Sequence, residues 1–330
     1  MLVENQKLNP KLFDVDVEQV PIRQGFGEGL LQAGQEDERV VGLCADLTES
    51  TKMIAFAQKF PKRFTQVGVA EQNLAATASG MAAMGKTPFM SSYAVFSPGR
   101  NWEQIRTTIC YNNRNVKIVG SHAGVSVGPD GGSHQAIEDI AIMRVLPRMR
   151  VIVPCDSIES KKATLAIAKN DGPVYLRLAR EKTPVVTTAD SPFEFGKANL
   201  LWDDPAPVVA VIASGPLVYN SLMAAKNLEA EGVKVLILNL HTIKPMDVEA
   251  VISVAKRAGR VVTAEEHQIA GGMGSAVAEV LTANYPVPME FIGVHDQFGQ
   301  SGTPAELMEH YGMGVKSIME AVKKVIQRKY

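Results

Sequence analysis

The most informative part of the sequence is the apolar run Val116-Lys117-Ile118-Val119-Gly120 and the loop that follows it, Ser121-His122-Ala123-Gly124-Val125-Ser126-Val127-Gly128-Pro129-Asp130-Gly131-Gly132-Ser133-His134. The run predicts a buried strand, and glycines let the backbone after it bend sharply and approach a ligand closely. Histidine titrates near neutrality, and ligands of open α/β sheets gather beyond the carboxyl ends of strands. The stretch therefore predicts either a ligand site at a strand end or a solvent-exposed turn.

The composition is that of an ordinary globular protein. The 330 residues are 46% hydrophobic and 21% charged, with a formal net charge of −1, and this length predicts about two domains. Such a charge balance gives no field that would attract nucleic acid or an anionic membrane. Cys44, Cys110 and Cys155 show neither metal-site nor disulfide spacing. No apolar run is long enough to span a membrane and residues 1–20 are too polar for a signal peptide, so we expect a cytoplasmic protein.

Apolar runs and helical patterns alternate along the chain. The predicted strands are Val40–Ala45, Val116–Gly120, Val151–Pro154, Val174–Leu178, Val208–Ala213, Val233–Leu240, Arg260–Ala264 and Met289–Val294. The predicted helices include Glu71–Met84, Ile137–Val145, Ser157–Ala168 and Val315–Arg328. Turn-forming residues at Glu181–Lys197 predict a linker. The alternation predicts an α/β fold of two doubly wound domains, each a mostly parallel sheet with helices on both faces.

A glycine-rich segment in the second half, Gly271-Gly272-Met273-Gly274, loosely resembles a dinucleotide-binding fingerprint. That fingerprint needs its glycines immediately after a strand, whereas residues Glu265–Ala270 intervene here. We interpret the segment as the start of a closely packed helix and expect no nucleotide site there.

Two further features of the first half complement the loop. Glu71 opens an apolar helix, where a carboxylate either pairs with the helix dipole or takes part in chemistry. Phe89, Tyr93 and Phe96 supply aromatic rings near the end of another strand, although such rings commonly pack in a core. Together, a carboxylate, aromatic faces and a Gly/His loop at strand ends predict a site for an aromatic heterocycle.

Several segments, taken in order, resemble the C-terminal half of the transketolase family, and the match runs nearly from end to end. The segments are Ala45–Ser50, Gly68–Asn73, Ser121–His134, Leu178–Arg180 and Phe298–Gly302. The resemblance implies a domain over residues 1–190 that binds the pyrimidine ring of thiamine diphosphate. It implies that residues 191–330 form the transketolase C-terminal domain.

One family motif is missing. Full-length transketolases hold the cofactor's diphosphate through a magnesium ion in an N-terminal domain marked by Gly-Asp-Gly and a later Asn, and no Gly-Asp-Gly occurs here. The resemblance therefore implies one subunit of a split transketolase, without a metal site of its own. Magnesium or calcium would be held mainly by a separate N-terminal subunit, most simply in an α2β2 assembly.

The resemblance also assigns cofactor contacts. It implies that Glu71 hydrogen-bonds the pyrimidine nitrogen and acts as a catalytic residue by promoting the imino tautomer that takes the C2 proton. Tyr93 and Phe96 match residues that pack on the aminopyrimidine, and Asp46 matches an aspartate close to the cofactor.

The chain departs from the family pattern at Gly99, where an aromatic residue is expected three positions after Phe96. The pocket is then either more open than in the family or filled by Trp102.

The substrate contacts follow from the same resemblance. Four residues match those that hold the sugar phosphate: Arg23, Ser50, His122 and Arg180. Two arginines suit a phosphate because guanidinium groups make charge-assisted, bidentate hydrogen bonds. Asp130 and His134 match residues that read sugar hydroxyls and assist proton transfer, which makes His134 a second catalytic candidate. The implied substrates are ketose and aldose phosphates of the pentose phosphate pathway.

Three alternatives stay open. The first two are other thiamine-dependent half-enzymes, either similar to deoxyxylulose-phosphate synthase or a 2-oxoacid dehydrogenase β-type subunit. The phosphate-binding set disfavours the dehydrogenase, and Ser121-His122 is the transketolase-like form. The third is a non-catalytic regulatory or scaffold paralogue, against which the presence of Glu71 argues.

Overall fold

The computed structural model describes residues 1–328. The strands are β1 (Gln19–Pro21), β2 (Val40–Cys44), β3 (Phe64–Gln66), β4 (Thr87–Tyr93), β5 (Lys117–Ser121), β6 (Arg150–Ile152), β7 (Val174–Arg177), β8 (Lys182–Pro184), β9 (Asn199–Asp203), β10 (Val209–Ala213), β11 (Val235–Asn239), β12 (Thr242–Lys244), β13 (Val261–Gln268) and β14 (Met289–Val294).

Helices alternate with these strands. They are α1 (Ile22–Glu36), α2 (Ile54–Lys59), α3 (Glu71–Ala83), α4 (Trp102–Gln104), α5 (Asp139–Arg144), α6 (Ser157–Ala168), α7 (Leu217–Ala230), α8 (Val248–Ala258), α9 (Met273–Asn284), α10 (Pro304–His310) and α11 (Val315–Ile326). A π-helical segment, Ile105–Tyr111, continues α4. Within residues 1–328, no helix is long and apolar enough to cross a membrane.

The strands assemble into two mostly parallel mixed sheets, which confirms the predicted fold class. The first sheet has the order β12-β6-β7-β5-β4-β2-β3 and the second has the order β14-β13-β10-β11-β9. In the first sheet β12 is antiparallel to β6, and in the second β9 is antiparallel to β11. Strands such as β2, β5, β10 and β11 are buried along their whole length, as expected where helices cover both faces of a sheet.

The two halves of the chain interlock. Strand β12 belongs to the second half by sequence but forms the edge of the first sheet. Leu2 pairs with Trp202 of β9 at the edge of the second sheet. One apolar cluster includes side chains from both sheets, among them Leu43, Ile118 and Leu238. The halves therefore share a core.

The predicted linker at Glu181–Lys197 contains a short strand. Strand β8 pairs with β1 in a separate antiparallel ribbon in which Pro21 lies opposite Lys182. A three-residue strand leaves no periodic pattern in the sequence, so the turn-forming composition dominated the prediction. The final helix ends at Ile326 rather than at the predicted Arg328.

A buried carboxyl group connects the two halves of the chain. Glu159 on α6 is 1% exposed, and its carboxylate accepts hydrogen bonds from Cys155 N at 2.7 Å and from Asn239 Nδ2 of β11 at 2.8 Å. Burial, reinforced by the negative charge of Asp156, raises the pKa of Glu159 to about 7. Folding therefore keeps a proton on Glu159 over a pH range in which the unfolded chain has lost it.

We expect Glu159→Gln to flatten the pH dependence of stability. Between the ordinary glutamate pKa of about 4.3 and pH 7 the folded chain binds more protons than the unfolded chain, so stability falls as pH rises. The variant removes this titration, and glutamine keeps an acceptor for Cys155 N. Urea unfolding from pH 5 to pH 8 measures the slope, with the exposed Glu28→Gln on α1 as control. Equal slopes for Glu159→Gln and the parent would contradict the assignment.

Candidate active site

The predicted site residues follow the carboxyl ends of four adjacent parallel strands. Tyr93 ends β4, and His122 directly follows β5. Asp46 follows β2, and Arg180 lies three residues beyond β7. Because β7, β5, β4 and β2 are consecutive in the sheet, the loops after them meet at one edge, where open α/β sheets bind ligands.

Four rings pack together at this edge. Tyr93 and Phe96 are nearly parallel, with centroids 6.0 Å apart and an interplanar angle of 14°. The imidazole of His122 stacks on Tyr93 with 3.7 Å between centroids. His134 lies edge-on to both Tyr93, at 6.3 Å, and Phe96, at 5.4 Å. We call Tyr93, Phe96, His122 and His134 the ring cluster.

His122 is held neutral. Burial, together with the positive charges of Arg23 and Arg180 and the neighbouring His134, lowers the pKa of His122 to about 2. Its Nδ1 lies 2.8 Å from the hydroxyl of Ser121. A neutral imidazole carries one N–H donor and one acceptor, so at physiological pH His122 is a hydrogen-bonding group rather than a cation.

Glu71 is buried beside the ring cluster. It is the first residue of α3 and 2% exposed, and a helix N-terminus stabilises a carboxylate. Its Oε2 lies 3.0 Å from Nη1 of Arg100, whose guanidinium carbon is 5.5 Å from the centroid of the Phe96 ring. Arg100 was not among the residues predicted from the sequence, although it directly follows Gly99, where the chain departs from the family pattern.

The sequence left open whether the space beside Phe96, where Gly99 replaces an aromatic residue, is empty or filled by Trp102. A Cβ at position 99 would overlap the carbonyl oxygen of Val95, so this backbone has no room for a side chain there. The indole of Trp102 packs against the apolar core and donates to Ile142 O at 2.7 Å. Trp102 is therefore committed to the core, and Arg100 is the side chain that lies against Phe96.

Two arginines converge next to His122. Nε of Arg23 donates to Arg180 O at 3.0 Å and its Nη1 donates to Ser50 O at 2.5 Å. Nη1 of Arg180 donates to Val127 O at 2.8 Å and pairs with Glu181 at 2.7 Å. Burial and the charge of Arg180 lower the pKa of Arg23. We call Arg23, Ser50 and Arg180 the arginine site, and two neighbouring cations there favour an anionic ligand.

The remaining predicted residues lie around these groups. Asp130 ends a 3₁₀ segment, Val125–Asp130, and is exposed. Asp46 is exposed too, and its backbone N–H donates to Gln66 Oε1 at 2.6 Å. Nδ1 of His134 lies 3.0 Å from Ser133 Oγ. The structure thus brings Glu71, both histidines and both arginines together with the rings, whereas the carboxylates of Asp46 and Asp130 face solvent.

The glycine-rich segment of the second half has a different task. Glu265 on β13 is 1% exposed, and its carboxylate accepts from Met273 N at 2.7 Å and from Gly274 N at 2.8 Å. The protein's own carboxylate therefore occupies the helix N-terminus at which a nucleotide phosphate would bind.

Two family models match the chain. The transketolase pyrimidine-binding domain matches residues 18–185, and the transketolase C-terminal domain matches residues 196–318. A solved structure described as a split gene transketolase, inactive beta4 tetramer, is 44% identical with a TM-score of 0.88, covering 94% of this chain and 100% of that one.

Curated relatives point the same way. The 6-deoxy-6-sulfo-D-fructose transketolase subunit SqwH of Clostridium sp. (strain MSTE9) is 40% identical over 96% of this chain and 98% of its own. A subunit of the apulose-4-phosphate transketolase of Phocaeicola vulgatus is 36% identical over 92% and 98%, respectively. Rat transketolase is 32% identical, and this chain covers 50% of its length. The chain therefore belongs to the transketolase family and corresponds to the C-terminal section of a split transketolase.

Proposed function

We propose that this chain is one subunit of a thiamine-diphosphate-dependent transketolase. It would transfer a two-carbon ketol unit from a ketose phosphate to an aldose phosphate. The observation that carries the proposal is the meeting of a buried carboxylate, the ring cluster and the arginine site at one sheet edge. An acid, flat apolar faces and an anion site are the three contacts that a thiamine cofactor and a phosphosugar require.

The residues present fit the pyrimidine end of the cofactor. Tyr93 and Phe96 offer aromatic faces, and the buried Glu71 offers a carboxyl group that pairs with Arg100, the side chain that lies over Phe96. When bound, thiamine diphosphate supplies the thiazolium carbon that adds to the ketose and the electron sink for carbon–carbon cleavage. The chain's task is to bind and orient that cofactor next to the sugar, with Asp46 at the rim.

Glu71 would act as the acid–base group at the pyrimidine nitrogen. The hydrogen bond between the two side chains joins Arg100 to Oε2 of Glu71, so the carboxyl group can meet the ring with its other oxygen or by releasing Arg100. Arg100 is 53% exposed, so its guanidinium can turn toward solvent while Glu71 stays buried. Proton transfer between Glu71 and the pyrimidine nitrogen is the step that this chain would contribute to cofactor activation.

The sugar would lie between the ring cluster and the arginine site. The neutral His122 would bond a hydroxyl or carbonyl oxygen, and Asp130 and His134 would read hydroxyls, with His134 assisting proton transfer. Arg23, Ser50 and Arg180 would hold the terminal anion. Two of the relatives are named for a sulfonated ketose and for a sugar phosphate, and both of these sugars have an anionic end.

The partner would be an N-terminal transketolase subunit that holds the diphosphate and Mg²⁺ or Ca²⁺. Residues 1–190 would bind the pyrimidine and residues 191–330 would form the second domain, within an α2β2 assembly. Support comes from relatives whose names call them subunits, and from the similar beta4 tetramer that is described as inactive.

The first prediction from the proposed function concerns this partner subunit. The purified chain alone should show no transketolase activity and bind thiamine diphosphate poorly, because the identified contacts reach only the pyrimidine end. Activity should appear on mixing with the N-terminal subunit, thiamine diphosphate and Mg²⁺, measured with xylulose 5-phosphate as donor and ribose 5-phosphate as acceptor. Full turnover by the single chain would refute the split arrangement.

The second prediction concerns Glu71. Glu71→Gln keeps the shape but removes the acid, and general acid–base groups contribute about 10²–10⁴-fold. The complex should lose at least that much activity and C2-proton exchange while retaining partner binding. Glu103→Gln, at an exposed glutamate on α4, is the control. Near-normal C2-proton exchange in Glu71→Gln would show that Glu71 only stabilises the N-terminus of α3.

The third prediction concerns the arginine site. Hydrogen bonds to charged groups contribute about 1.5–3 kcal/mol, which is roughly 10–150-fold at about 1.4 kcal/mol per decade. Arg180→Ala should raise the KM for ribose 5-phosphate by about that factor, with little effect on an unphosphorylated donor such as hydroxypyruvate.

Two neighbours provide controls for Arg180→Ala. Lys182→Ala removes an exposed positive charge on β8 and should leave KM unchanged. Glu181→Gln removes the ionic partner of Arg180 and should lower the KM for ribose 5-phosphate. If Arg180→Ala impaired the reactions of ribose 5-phosphate and hydroxypyruvate equally, Arg180 would act on the fold or on the cofactor instead.

A further inference from the structure

A buried carboxylate from the second half contacts the active-site loop of the first. Glu266 on β13 is 1% exposed, and its Oε1 accepts a hydrogen bond from Ser126 N at 2.6 Å. Ser126 belongs to the loop that runs from Gly124 to His134. We propose that Glu266 is a positioning residue that sets the geometry of this loop for sugar binding, an inference that rests on the proposed function.

The loop is shaped around this carboxylate. Gly124 has φ of +87°, a conformation that favours glycine, and a Cβ there would overlap the Glu266 carboxyl group. The N–H of Gly124 donates to Ala136 O at 2.8 Å. Because Gly124 has no side chain, the Glu266 carboxyl group can lie against the loop backbone and accept the hydrogen bond from the Ser126 N–H.

Glu266 is fixed from behind by a buried ion pair. Nη2 of Arg177 donates to Glu266 O at 2.7 Å, and Nε of Arg177 pairs with Asp139 at 2.8 Å. Asp139 also accepts from Tyr175 OH at 2.7 Å. The backbone of Glu266 is therefore tied to the first sheet while its side chain holds the loop. Burial raises the pKa of Glu266, and the positive charge of Arg177 opposes that rise.

The loop carries two residues proposed to contact sugar. Asp130 lies four residues beyond Ser126, and the ring of His134 packs edge-on against Phe96. A second tie from the second half runs through Gln135, whose Nε2 donates to Val125 O at 2.9 Å and Gln300 O at 3.0 Å. A displacement of about 1 Å in such groups costs on the order of 10²-fold in rate, so a carboxylate that holds the loop controls catalysis without touching substrate.

The chain provides a matched control in the preceding residue. Successive side chains of a strand point to opposite faces, and Glu265 binds the start of α9 rather than the loop. Both glutamates are 1% exposed on the same strand. Loss of either carboxyl group removes buried hydrogen bonding to backbone N–H groups, but of the two only Glu266 contacts the active-site loop.

The first measurement is amide hydrogen exchange of the full chain, which requires no activity. Glu266→Ala should speed exchange of residues 124–136 about tenfold or more, since a hydrogen bond to a charged group is lost, and leave α9 unchanged. Glu265→Ala should give the reverse pattern. If the alanine variants do not fold, Glu266→Asp and Glu265→Asp withdraw each carboxylate by one methylene and test the same contrast. Unchanged exchange at 124–136 in the Glu266 variants would overturn the proposal.

The second measurement is steady-state kinetics of the complex with its N-terminal subunit. Glu266→Ala should lower kcat/KM for ribose 5-phosphate by about 10- to 100-fold, mainly through kcat, with the thiamine diphosphate dissociation constant unchanged. Glu266→Gln, which keeps an acceptor for Ser126 N, should restore most of that loss, and Glu265→Ala should leave kcat near that of the parent.

The two readouts separate this proposal from the proposed function. Equal losses of kcat in the Glu265 and Glu266 variants, following their stabilities, would make Glu266 merely structural. A parent complex without transketolase activity would refute the proposed function, and with it the catalytic consequence. The exchange pattern would still decide whether Glu266 holds the loop.

Discussion

The guanidinium of Arg177 is the point on which both halves of this protein depend. It is 2% exposed at the end of β7, where it binds the Asp139 carboxylate and the carbonyl oxygens of Ala136 and Glu266. Burial alone would lower the pKa of Arg177, but Asp139 more than compensates and raises it above its ordinary value. Truncating one member of such a pair leaves an uncompensated buried charge, which is strongly destabilising. The active-site loop and the second sheet are therefore both held in place by the buried Arg177–Asp139 pair.

The candidate site also contains charged groups close together, and their mutual effects determine which of them are ionised. Arg23 and Arg180 lie side by side, and Glu181 is the carboxylate that pairs with Arg180. Burial and the charges of Arg23 and Arg180 lower the pKa of His122, which disfavours a third positive charge there. Two cations beside a neutral hydrogen-bonding ring would suit the proposed substrate, a sugar with an anionic end.

Much of this arrangement could be predicted from the sequence, because periodicity and motif order are local. The α/β class and the family resemblance are confirmed, and the strand at Met289–Val294 and the helix at Ser157–Ala168 have the predicted bounds. Glu266, Arg100 and β12 could not be predicted. Glu266 reaches Ser126 across 140 positions, and no local pattern reports so distant a contact. The roles of the site residues stay predictions.

The position of β12 limits where this chain can be cut into fragments. The family boundaries at residues 185 and 196 suggest a natural place to cut, yet Thr242–Lys244 covers the edge strand β6 of the first sheet. A fragment ending near residue 190 would expose that edge, and bare sheet edges recruit other strands and aggregate. The segments that the two family models match share a sheet and an apolar core, so a cut between them separates strands and side chains that pack together.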